Sequence, residues 1–412
     1  MKPGYKQTEV GVIPEEWEVK LLPEVLRFRG GKAHEQHISE TGRYICVNSK
    51  FISTEGEVRK YSSANFCPAN RGDVLMVMSD LPNGRALAKA YLVEKDDTYA
   101  VNQRVCALTA YRDCPEYFFY VLNRHPYFLK FDNGVSQTHL LNNVFQKCPI
   151  PVPPNVEEQR AIATALSDVD GLLGGLDRLI AKKRDLKHAA MQQLLTGQTR
   201  LPGFHAEWEV KRLGDVVDTD PENLGSETRP DFLFNYIALE DVDHGFLRSY
   251  SEQVFANAPS RARRKLRTND VLVSTVRPNL QSHLLFVGEA ERWICSTGFC
   301  VVRCRNEITN PGYVFFHLFA GRVNRQIDTL LTGSNYPAIN SGHVRALLIP
   351  IPNYAEQTAI AEALTDMDGE LAVLEQRREK TRALKQAMMQ ELLTGRTRLV
   401  SREAAKNAKE QK

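Results

Sequence analysis

Hydroxyl, amide and guanidinium side chains concentrate in two loops that occupy matching places in the two halves of the chain. Each loop follows a short apolar segment typical of a strand, and the side chains of interest are Ser79, Arg85, Arg277, Asn279 and Gln281. In the major groove of DNA, arginine pairs with guanine, and asparagine or glutamine pairs with adenine. The two loops therefore predict contacts with base edges, although an ordinary polar turn has a similar composition.

A second pair of matching loops begins at Gly134 and Gly333. Each resembles a turn that opens a short helix, with Pro337 suited to the first helical position. Unpaired N–H groups at such a turn can hold a phosphate, and polar side chains reach further. The candidate side chains are Ser136, Gln137, Thr138, Ser334, Asn335 and Tyr336. Simple helix capping is the alternative explanation.

Basic residues supply candidate phosphate contacts. The strongest charge run is 261–267, and the predicted contacts within it are Arg263, Arg264 and Lys265. In the first half of the chain the remaining candidates are Lys32, Asn102, Gln103 and Arg104. The net charge is only +3 and the isoelectric point about 8.3, so any basic surface must be local.

Catalytic motifs are absent from the sequence. It contains no phosphate-binding Gly-x-x-x-x-Gly-Lys-Ser/Thr loop, no His-Glu-x-x-His and no Gly-x-Ser-x-Gly. The eight cysteines form no Cys-x-x-Cys pair, which favours buried free thiols over zinc or disulfides. We therefore predict no catalytic residues, no metal and no cofactor in this chain. The N-terminus lacks an apolar signal core, and no segment could span a bilayer, so we expect a cytoplasmic protein.

These loops are positioned by an internal repeat. Residues 154–201 recur as 352–399 at a constant offset of 198, with roughly half of the positions identical. Each copy reads as a long helix whose apolar residues recur every three or four positions. Gly197 and Gly395 supply left-handed caps after these helices. Asp170-Gly171 and Asp368-Gly369 could break each helix in two, and the sequence leaves this open.

The rest of the chain repeats more loosely. Short segments rich in Val, Ile, Tyr and Phe predict strands, and helices are predicted near 115–124 and 311–318. We predict an α+β fold with two tandem mixed α/β domains, a pseudo-two-fold internal repeat, and two long helices paired as an antiparallel coiled coil. Packing of each helix onto its own domain is the alternative. The predicted parts are 1–155 and 203–353 for the domains, 156–202 and 354–400 for the helical spacers, and 401–412 for a flexible tail.

The chain is similar to the specificity subunit of type I restriction–modification enzymes over nearly its full length. The resemblance rests on three features that occur in order: the opening Gly11–Pro14 with Trp17, the doubled Ile-Pro-x-Pro followed by Glu-Gln-x-Ala-Ile-Ala, and the doubled Leu-Leu-Thr-Gly. It implies that each large domain is a target recognition domain for one half of a split DNA sequence. It also implies that the helices set the unread gap between the halves.

The resemblance further implies partners. Two methyltransferase subunits, which use S-adenosylmethionine to methylate adenine, and restriction subunits, which use ATP and Mg²⁺, would be separate chains. We predict that the methyltransferase subunits dock on the exposed side of the helices, with four residues near the helix starts as candidates: Glu158, Gln159, Glu356 and Gln357. A coiled-coil scaffold or anti-restriction decoy that binds only proteins is the main alternative, and an enzyme with an unrecognised site is another.

Overall fold

The computed structural model describes residues 3–81, 84–288, 292–331 and 337–399. The chain divides into two compact units. Unit 1 comprises residues 1–175 and 377–412, and unit 2 comprises residues 176–376. Both divisions fall inside a long helix, so each unit contains one globular body together with half of each long helix. The predicted limits, which assign whole helices to separate spacers, stay a prediction.

Unit 1 is built mainly from short strands. They are Tyr5–Thr8 (β1), Gly11–Pro14 (β2), Glu18–Leu21 (β3), Leu26–Gly30 (β4), Tyr44–Val47 (β5), Tyr61–Ser62 (β6), Pro68–Ala69 (β7), Val74–Val77 (β8), Ser79–Asp80 (β9), Ala90–Leu92 (β10), Tyr99–Val101 (β11), Val105–Ala110 (β12), Thr138–His139 (β13) and Pro149–Val152 (β14). Its short helices are Leu22–Val25 (α1), Ser49–Ser53 (α2), Pro115–Leu122 (α3), Pro126–Leu129 (α4) and Asn142–Gln146 (α5).

Two four-stranded sheets form the body of unit 1, in the orders β10-β8-β12-β4 and β6-β5-β11-β7. Strands β5 and β11 are parallel, and the other strand pairs in these sheets are antiparallel. All four residues of β8 are buried, as expected for a central strand that is covered on both faces. Helix α3 packs on this sheet and begins with Pro115, a favourable first helical residue.

Unit 2 repeats this plan. Its strands are Glu209–Arg212 (β15), Val217–Thr219 (β16), Leu233–Ile237 (β17), Val242–Asp243 (β18), Phe246–Leu247 (β19), Ser251–Val254 (β20), Ala262–Lys265 (β21), Val271–Ser274 (β22), Leu284–Leu285 (β23), Trp293–Ser296 (β24), Phe299–Cys304 (β25) and Leu348–Ile351 (β26). The short helices are Leu213–Val216 (α7), Pro311–Leu318 (α8), Gly321–Leu330 (α9) and Ser341–Ala346 (α10). The four-stranded sheets have the orders β16-β25-β22-β23 and β20-β17-β24-β21. The predicted α+β class is confirmed, as are the helices predicted near 115–124 and 311–318.

The two long helices are Val156–Leu194 (α6) and Tyr354–Leu392 (α11), and each contains 39 residues. Neither breaks at its Asp-Gly pair, so the question that the sequence left open is answered in favour of continuous helices. Glycine in a helix interior costs about 1 kcal/mol relative to alanine, and the buried stripe along each helix offsets this cost. Gly197 and Gly395 follow the helices with φ of 72° and 66°, as predicted for left-handed caps.

Within each unit the halves of the two helices pack antiparallel. In unit 1, Lys385 contacts Asp170 at 2.6 Å, and in unit 2, Lys187 contacts Asp368 at 2.5 Å. These four residues occupy equivalent repeat positions. Each lysine also lies over an aromatic ring of its own unit, Tyr120 or Phe316. The predicted antiparallel pairing is therefore confirmed.

The apolar stripe differs from the prediction at one step. Leu186 and Leu384 continue the spacing of three or four positions that predicts the stripe, but they are 47% and 55% exposed. The following lysines, Lys187 and Lys385, are more buried and take the inward position. Their long alkyl stems can cover apolar surface while the ammonium group reaches the paired aspartate.

Buried ion pairs fix the segment that follows each helix to the start of the antiparallel helix. In unit 1, the Arg398 guanidinium donates two hydrogen bonds to the carboxylate of Glu158, one of 2.8 Å, and another to Glu16. In unit 2, Arg200 donates to Glu356 at 2.5 and 2.6 Å. Both glutamates are fully buried. Such charges are tolerated in a protein interior only when they are paired.

Gln159 and Gln357 are equally buried and bind the globular bodies. The Gln159 amide accepts from the backbone of Cys114 and donates to the carbonyl of Pro153. Gln357 forms the equivalent bonds with Asn310 and Pro352. The prediction that these glutamines dock a partner is wrong, because their polar atoms are used inside the chain.

The same correction applies to Glu158 and Glu356. Their carboxylates are enclosed by arginine, and Glu356 also accepts from the indole nitrogen of Trp208 at 3.1 Å. Neither glutamate has a surface that a partner could reach. The repeat keeps these residues identical because they hold each helix start in place.

We predict that Arg398→Met lowers the free energy of unfolding by about 3 kcal/mol or more, because Glu158 would remain buried without its counter-ion. Urea denaturation measures the loss. Arg396→Met is the matched control, because the ion pair between Arg396 and Glu391 is exposed and its nearest N–O distance is 4.0 Å. This variant should change the free energy of unfolding by no more than about 0.5 kcal/mol. Equal effects of both variants would contradict a structural role for the Arg398–Glu158 pair.

Candidate nucleic-acid interface

Three polar connections of unit 1 meet at one end of a sheet, around Met78. The Met78 backbone N–H donates to the carbonyl of Arg104 at 2.9 Å, and its carbonyl accepts from the N–H of Leu140 at 2.8 Å. Because β9 pairs with β13, the loop after β8 lies beside the loop that begins at Gly134. The structure thus brings together the two loops that the sequence identified separately, along with the turn between β11 and β12.

The predicted residues of these loops divide into buried and exposed groups. Ser79 and Thr138 are buried. The Ser79 hydroxyl accepts from the Gln137 amide at 3.0 Å, and the Thr138 hydroxyl donates to Asp132 at 3.3 Å. Ser136 and Gln137 are exposed. We infer that the buried hydroxyls position the loop and that the exposed side chains are available to a ligand.

Asp80 holds the loop that presents Arg85, and sequence reasoning missed this residue. Its carboxylate accepts from the backbone N–H groups of Leu81, Ala86 and Leu87 at 2.9, 2.6 and 3.0 Å. The Arg85 side chain is exposed. An aspartate that binds the backbone of a following loop is a recognisable turn signal, but several such residues occur in this chain.

Lys32, Asn102 and Gln103 lie at the same end of unit 1. Lys32 and Asn102 form an isolated parallel bridge, and Gln103 is exposed. The amides of Asn102 and Gln103 both donate to Glu35, at 3.1 and 3.2 Å. The pKa of Glu35 is lowered, first by a bond from its own backbone N–H and then by the Asn102 amide. This carboxylate therefore stays charged and orients the two amides, each of which keeps a second N–H for another partner.

Unit 2 has the same arrangement with Thr275 in the position of Met78. The Thr275 N–H donates to the carbonyl of Gly298 at 2.8 Å, and its carbonyl accepts from Ile339 at 2.9 Å. Val276 bridges Ala338, as Ser79 pairs with His139 in unit 1. The two units therefore present their loops on the same backbone frame with different side chains.

The loop of unit 2 has an unusual backbone. Arg277 and Gln281 adopt left-handed conformations, with φ of 49° and 53°, on either side of the 3₁₀ turn Pro278–Leu280. Residues other than glycine rarely adopt this conformation, and such strain is found most often at functional sites. Arg277 and Asn279 are exposed, and Gln281 is half-buried.

The predicted helix openings are wrong in detail. Residues 134–140 lead first into β13, and α5 begins at Asn142. Pro337 is not a first helical residue, because its carbonyl accepts from Arg277 at 2.8 Å and α10 begins at Ser341. In both cases pairing with the neighbouring loop takes the place of a helical turn.

His283 supports the loop of unit 2 from below, and its role was not predicted. Its ring is fully buried, and its Nδ1 accepts from the backbone N–H of Ser274 at 3.1 Å. The ring proton is therefore assigned to Nε2. Burial, and secondarily the charge of His244, lowers the pKa of His283 to about 4.

Two of the five basic residues in the charge run 261–267 form ion pairs within unit 2. Arg264 contacts Asp220 at 2.7 Å with its side chain mostly buried, and Arg267 contacts Glu222 at 2.5 Å. Arg264 is therefore already engaged within unit 2, and its phosphate contact stays a prediction. Arg263 lies over the Phe255 ring, and both it and Lys265 are half-buried. Arg104 of unit 1, in contrast, is exposed.

Three predicted residues, Ser334, Asn335 and Tyr336, lie outside the described residues, as do Gly333, the loop positions Pro82 and Asn83, and the tail 401–412. Over the described ranges, no group of three or more His, Cys, Asp or Glu side chains could hold a metal ion. No described helix is long and apolar enough to cross a membrane. What the two loop clusters offer is hydrogen-bond donors and acceptors, suited to recognition.

A family model described as "Type I restriction modification DNA specificity domain" matches the chain twice, over residues 14–180 and 205–382. The chain is 24% identical to the type I restriction enzyme MjaVIII specificity subunit of Methanocaldococcus jannaschii, with 94% of each chain covered. It is 22% identical to the HindI specificity subunit of Haemophilus influenzae, over 44% of this chain and 40% of the relative.

Two solved structures share the fold. The S subunit of a type I restriction–modification system from M. genitalium has a TM-score of 0.60 at 16% identity and covers 95% of this chain and 99% of its own. A chain from a study of complex assembly in the type I R-M system has a TM-score of 0.56 at 19% identity. The match covers 93% of this chain and 99% of that chain.

We predict that His283 makes stability pH-dependent. Its pKa is about 4 when folded and about 6.5 when unfolded, so its contribution is fully present above pH 6.5 and is lost as the pH falls toward 4. Between pH 7 and 5 this amounts to about 2 kcal/mol. His283→Gln keeps an acceptor for Ser274 but does not titrate. Urea denaturation at the two pH values should show a smaller loss for the variant, and equal losses would contradict the assignment.

Proposed function

The chain belongs to the type I restriction–modification DNA specificity family, and we propose that units 1 and 2 each read one half of a bipartite duplex target. The observation that carries the proposal is the matched convergence of loops at Met78 and Thr275. The loops of the two units have the same backbone arrangement but different side chains, which suits recognition of two different half-sites. Arg85, Arg104 and Gln137 would read one half, and Arg277, Asn279 and Gln281 the other.

Base reading requires flexible donors and acceptors that reach the groove, and the exposed arginines and amides of these loops meet this need. The left-handed backbone at Arg277 sets the direction in which its Cα–Cβ bond leaves the loop before DNA binds. A net charge of +3 supports only modest affinity for this chain alone. We propose that partner subunits supply part of the phosphate contact, so binding by the complex should weaken more steeply with salt than binding by this chain.

The long helices set the unread gap between the two halves of the target in this proposal. A continuous helix of 39 residues extends about 58 Å, since each residue adds about 1.5 Å. Two half-sites one helical turn apart are separated by about 34–36 Å. The length of each helix is therefore sufficient to bridge such a separation.

Partner docking needs a new assignment, since the four predicted residues are buried. Several pairs of positions are identical in the two repeats and yet exposed: Asp168 and Asp366, Gly171 and Gly369, Lys182 and Lys380, Leu186 and Leu384, Ala189 and Ala387. At 3.6 residues per turn these positions share one face of each helix, opposite the buried stripe. Identity at exposed positions favours one partner type that binds twice.

The glycines are the most informative members of this exposed face. A Cβ atom at Gly171 or Gly369 would meet nothing within 4 Å. Packing inside the chain therefore does not require glycine at these helical positions, which would be more stable as alanine. Close approach of another backbone is a sufficient reason. We propose that a methyltransferase subunit packs a helix there.

The partners in this proposal are two methyltransferase subunits that methylate adenine at N6 with S-adenosylmethionine, and restriction subunits that use ATP and Mg²⁺. Catalysis would belong to those chains, and this chain would be non-catalytic and cytoplasmic. A scaffold that binds only proteins is the second candidate, favoured by the exposed, repeat-identical Leu186 and Leu384. The two candidates differ in whether exposed loop residues change the methylated sequence.

We predict that Arg277→Ala combined with Asn279→Ala relaxes one half of the methylated motif and leaves the other unchanged. Each good bidentate pair discriminates between bases by about 1–3 kcal/mol, so the preference at the affected positions should fall about 5- to 150-fold. The measurement is sequencing of methylated duplexes from a randomised library treated with the assembled complex.

Arg85→Ala combined with Gln137→Ala is the matched comparison, and it should relax the other half of the motif. Lys50→Ala, an exposed residue of α2, should leave both halves intact. A loss of total methylation with an unchanged motif in both double variants would favour the scaffold.

A further prediction concerns the glycines. Gly171→Ala combined with Gly369→Ala should raise the free energy of unfolding of this chain, by about 0.4–1 kcal/mol per site, because open helical positions favour alanine. The same variant should recover less methyltransferase subunit on co-purification if a helix packs closely there. Ala189→Ser is the control for this measurement, because it makes a smaller change on the same face of the helix. Gain of stability with undiminished assembly would exclude close packing at the glycines.

A further inference from the structure

Unit 2 contains a cavity that the DNA-reading function does not use. Its volume is about 270 Å³, and it lies between the last turns of α6 and the start of α9. Met191, Leu195 and Phe319 contribute apolar surface. This size is slightly below the usual range for ligand pockets, roughly 300–1,000 Å³. A compact ligand, smaller than a nucleotide, suits it.

The charged lining of the cavity has one sign. Arg322 and Arg325 both line it, together with neutral donors and acceptors such as Gln192 and Thr196. None of the described residues that line the cavity is an aspartate or a glutamate. Two guanidinium groups without a carboxylate favour an anion, and guanidinium geometry matches phosphate and carboxylate oxygens.

His317 adds a buried polar group to the same wall. It is 2% exposed, and neither ring nitrogen has a hydrogen-bond partner among the described residues. Tyr313 contacts the ring by its edge, at 4.6 Å between centroids, without satisfying either nitrogen. An unpaired polar group of this kind costs about 1–3 kcal/mol in a protein interior. The cost requires a compensating role.

Comparison of the repeats indicates that packing does not require this histidine. Val121 of α3 occupies the position in unit 1 that His317 occupies in α8, and it is buried in the core. An apolar residue therefore suits the fold at this point. At this repeat position unit 2 carries an imidazole that lines the cavity, where unit 1 carries valine.

The start of α9 faces the same space. Ala320 and Gly321 line the cavity, and Ala320, as the N-cap residue, provides no side-chain bond to the first turn. Arg325 folds back toward Gly321, with its Nη1 3.5 Å from where a Cβ would stand. The first N–H groups of a helix lack internal partners and attract anions. The start of α9, the two arginines and the buried imidazole therefore all line the same cavity.

We propose that this cavity binds a small ligand that carries a phosphate group on a short apolar body. Arg322, Arg325 and the first N–H groups of α9 hold the phosphate, and the neutral imidazole of His317 donates one hydrogen bond to it. Met191, Leu195 and Phe319 enclose the apolar part. The site would make unit 2 responsive to a small metabolite, independently of whether the loops read DNA.

The test uses the purified full-length chain with phenyl phosphate and inorganic phosphate as probes, at constant ionic strength. Isothermal titration calorimetry should show one site, with phenyl phosphate bound more tightly than inorganic phosphate. Arg322→Ala combined with Arg325→Ala should weaken binding of phenyl phosphate at least about tenfold, because charge-assisted hydrogen bonds are lost. His317→Val, which copies unit 1, should fold normally and also bind more weakly.

Arg71→Ala combined with Lys95→Ala is the matched control, since it removes two exposed cations of unit 1. It should bind phenyl phosphate as the unchanged chain does. Absence of binding by the unchanged chain, or equal binding by the Arg322/Arg325 variant and this control, would overturn the proposal. Displacement of phenyl phosphate by duplex DNA would also overturn it, because the cavity would then hold a backbone phosphate.

Discussion

The buried arginine–glutamate pairs are the interaction on which the rest of this architecture depends. Arg398 with Glu158, and Arg200 with Glu356, connect the segment after one long helix to the start of the antiparallel one. Neither glutamate is exposed, so the pairs form only when both helices are in register. A slip by one turn would leave two buried carboxylates without partners, at a cost that apolar packing along the stripe could not offset. Charge thus specifies a register that leucines alone leave ambiguous.

A fixed frame with variable contents follows from these anchors. The glutamine beside each glutamate binds the first globular residues before it, and the body of each unit is thereby joined rigidly to its helices. In each unit the same pattern of backbone hydrogen bonds surrounds one residue, Met78 in unit 1 and Thr275 in unit 2. Asp80 and Arg277, which follow them, have opposite charges. The frame can therefore remain constant while the loop chemistry, and with it the recognised sequence, changes.

Much of the fold could be predicted from the sequence because the repeat supplies its own comparison. Helical periodicity and glycine caps predicted the long helices, and the helices near 115–124 and 311–318 were also predicted. The inward orientation of Lys187 and Lys385 could not be predicted from the sequence. A lysine takes such a position because an aspartate of the other helix pairs with it, and the fold alone shows which aspartate lies opposite. The predicted roles of Glu158 and Gln159 were wrong because identity between repeats marks importance, and only burial distinguishes anchors from docking residues.

The loop residues were predicted by chemical type, and their supports were not. Asp80, Glu35 and His283 act through backbone contacts that depend on distant parts of the chain meeting. Sequence also overestimated the run 261–267, because Asp220 and Glu222 lie far from it along the chain but contact it in the fold. Pairing of charges across strands is a property of register, which local composition does not encode.

The central claim is that this chain determines which DNA sequence a methyltransferase modifies. Its most direct test is a genome-wide map of methylated adenines in a methylation-free host that expresses the partner subunits with and without this chain. The account predicts a split motif with a constant gap that appears only when the chain is present. Identical methylation in both strains, with active partner subunits, would contradict it.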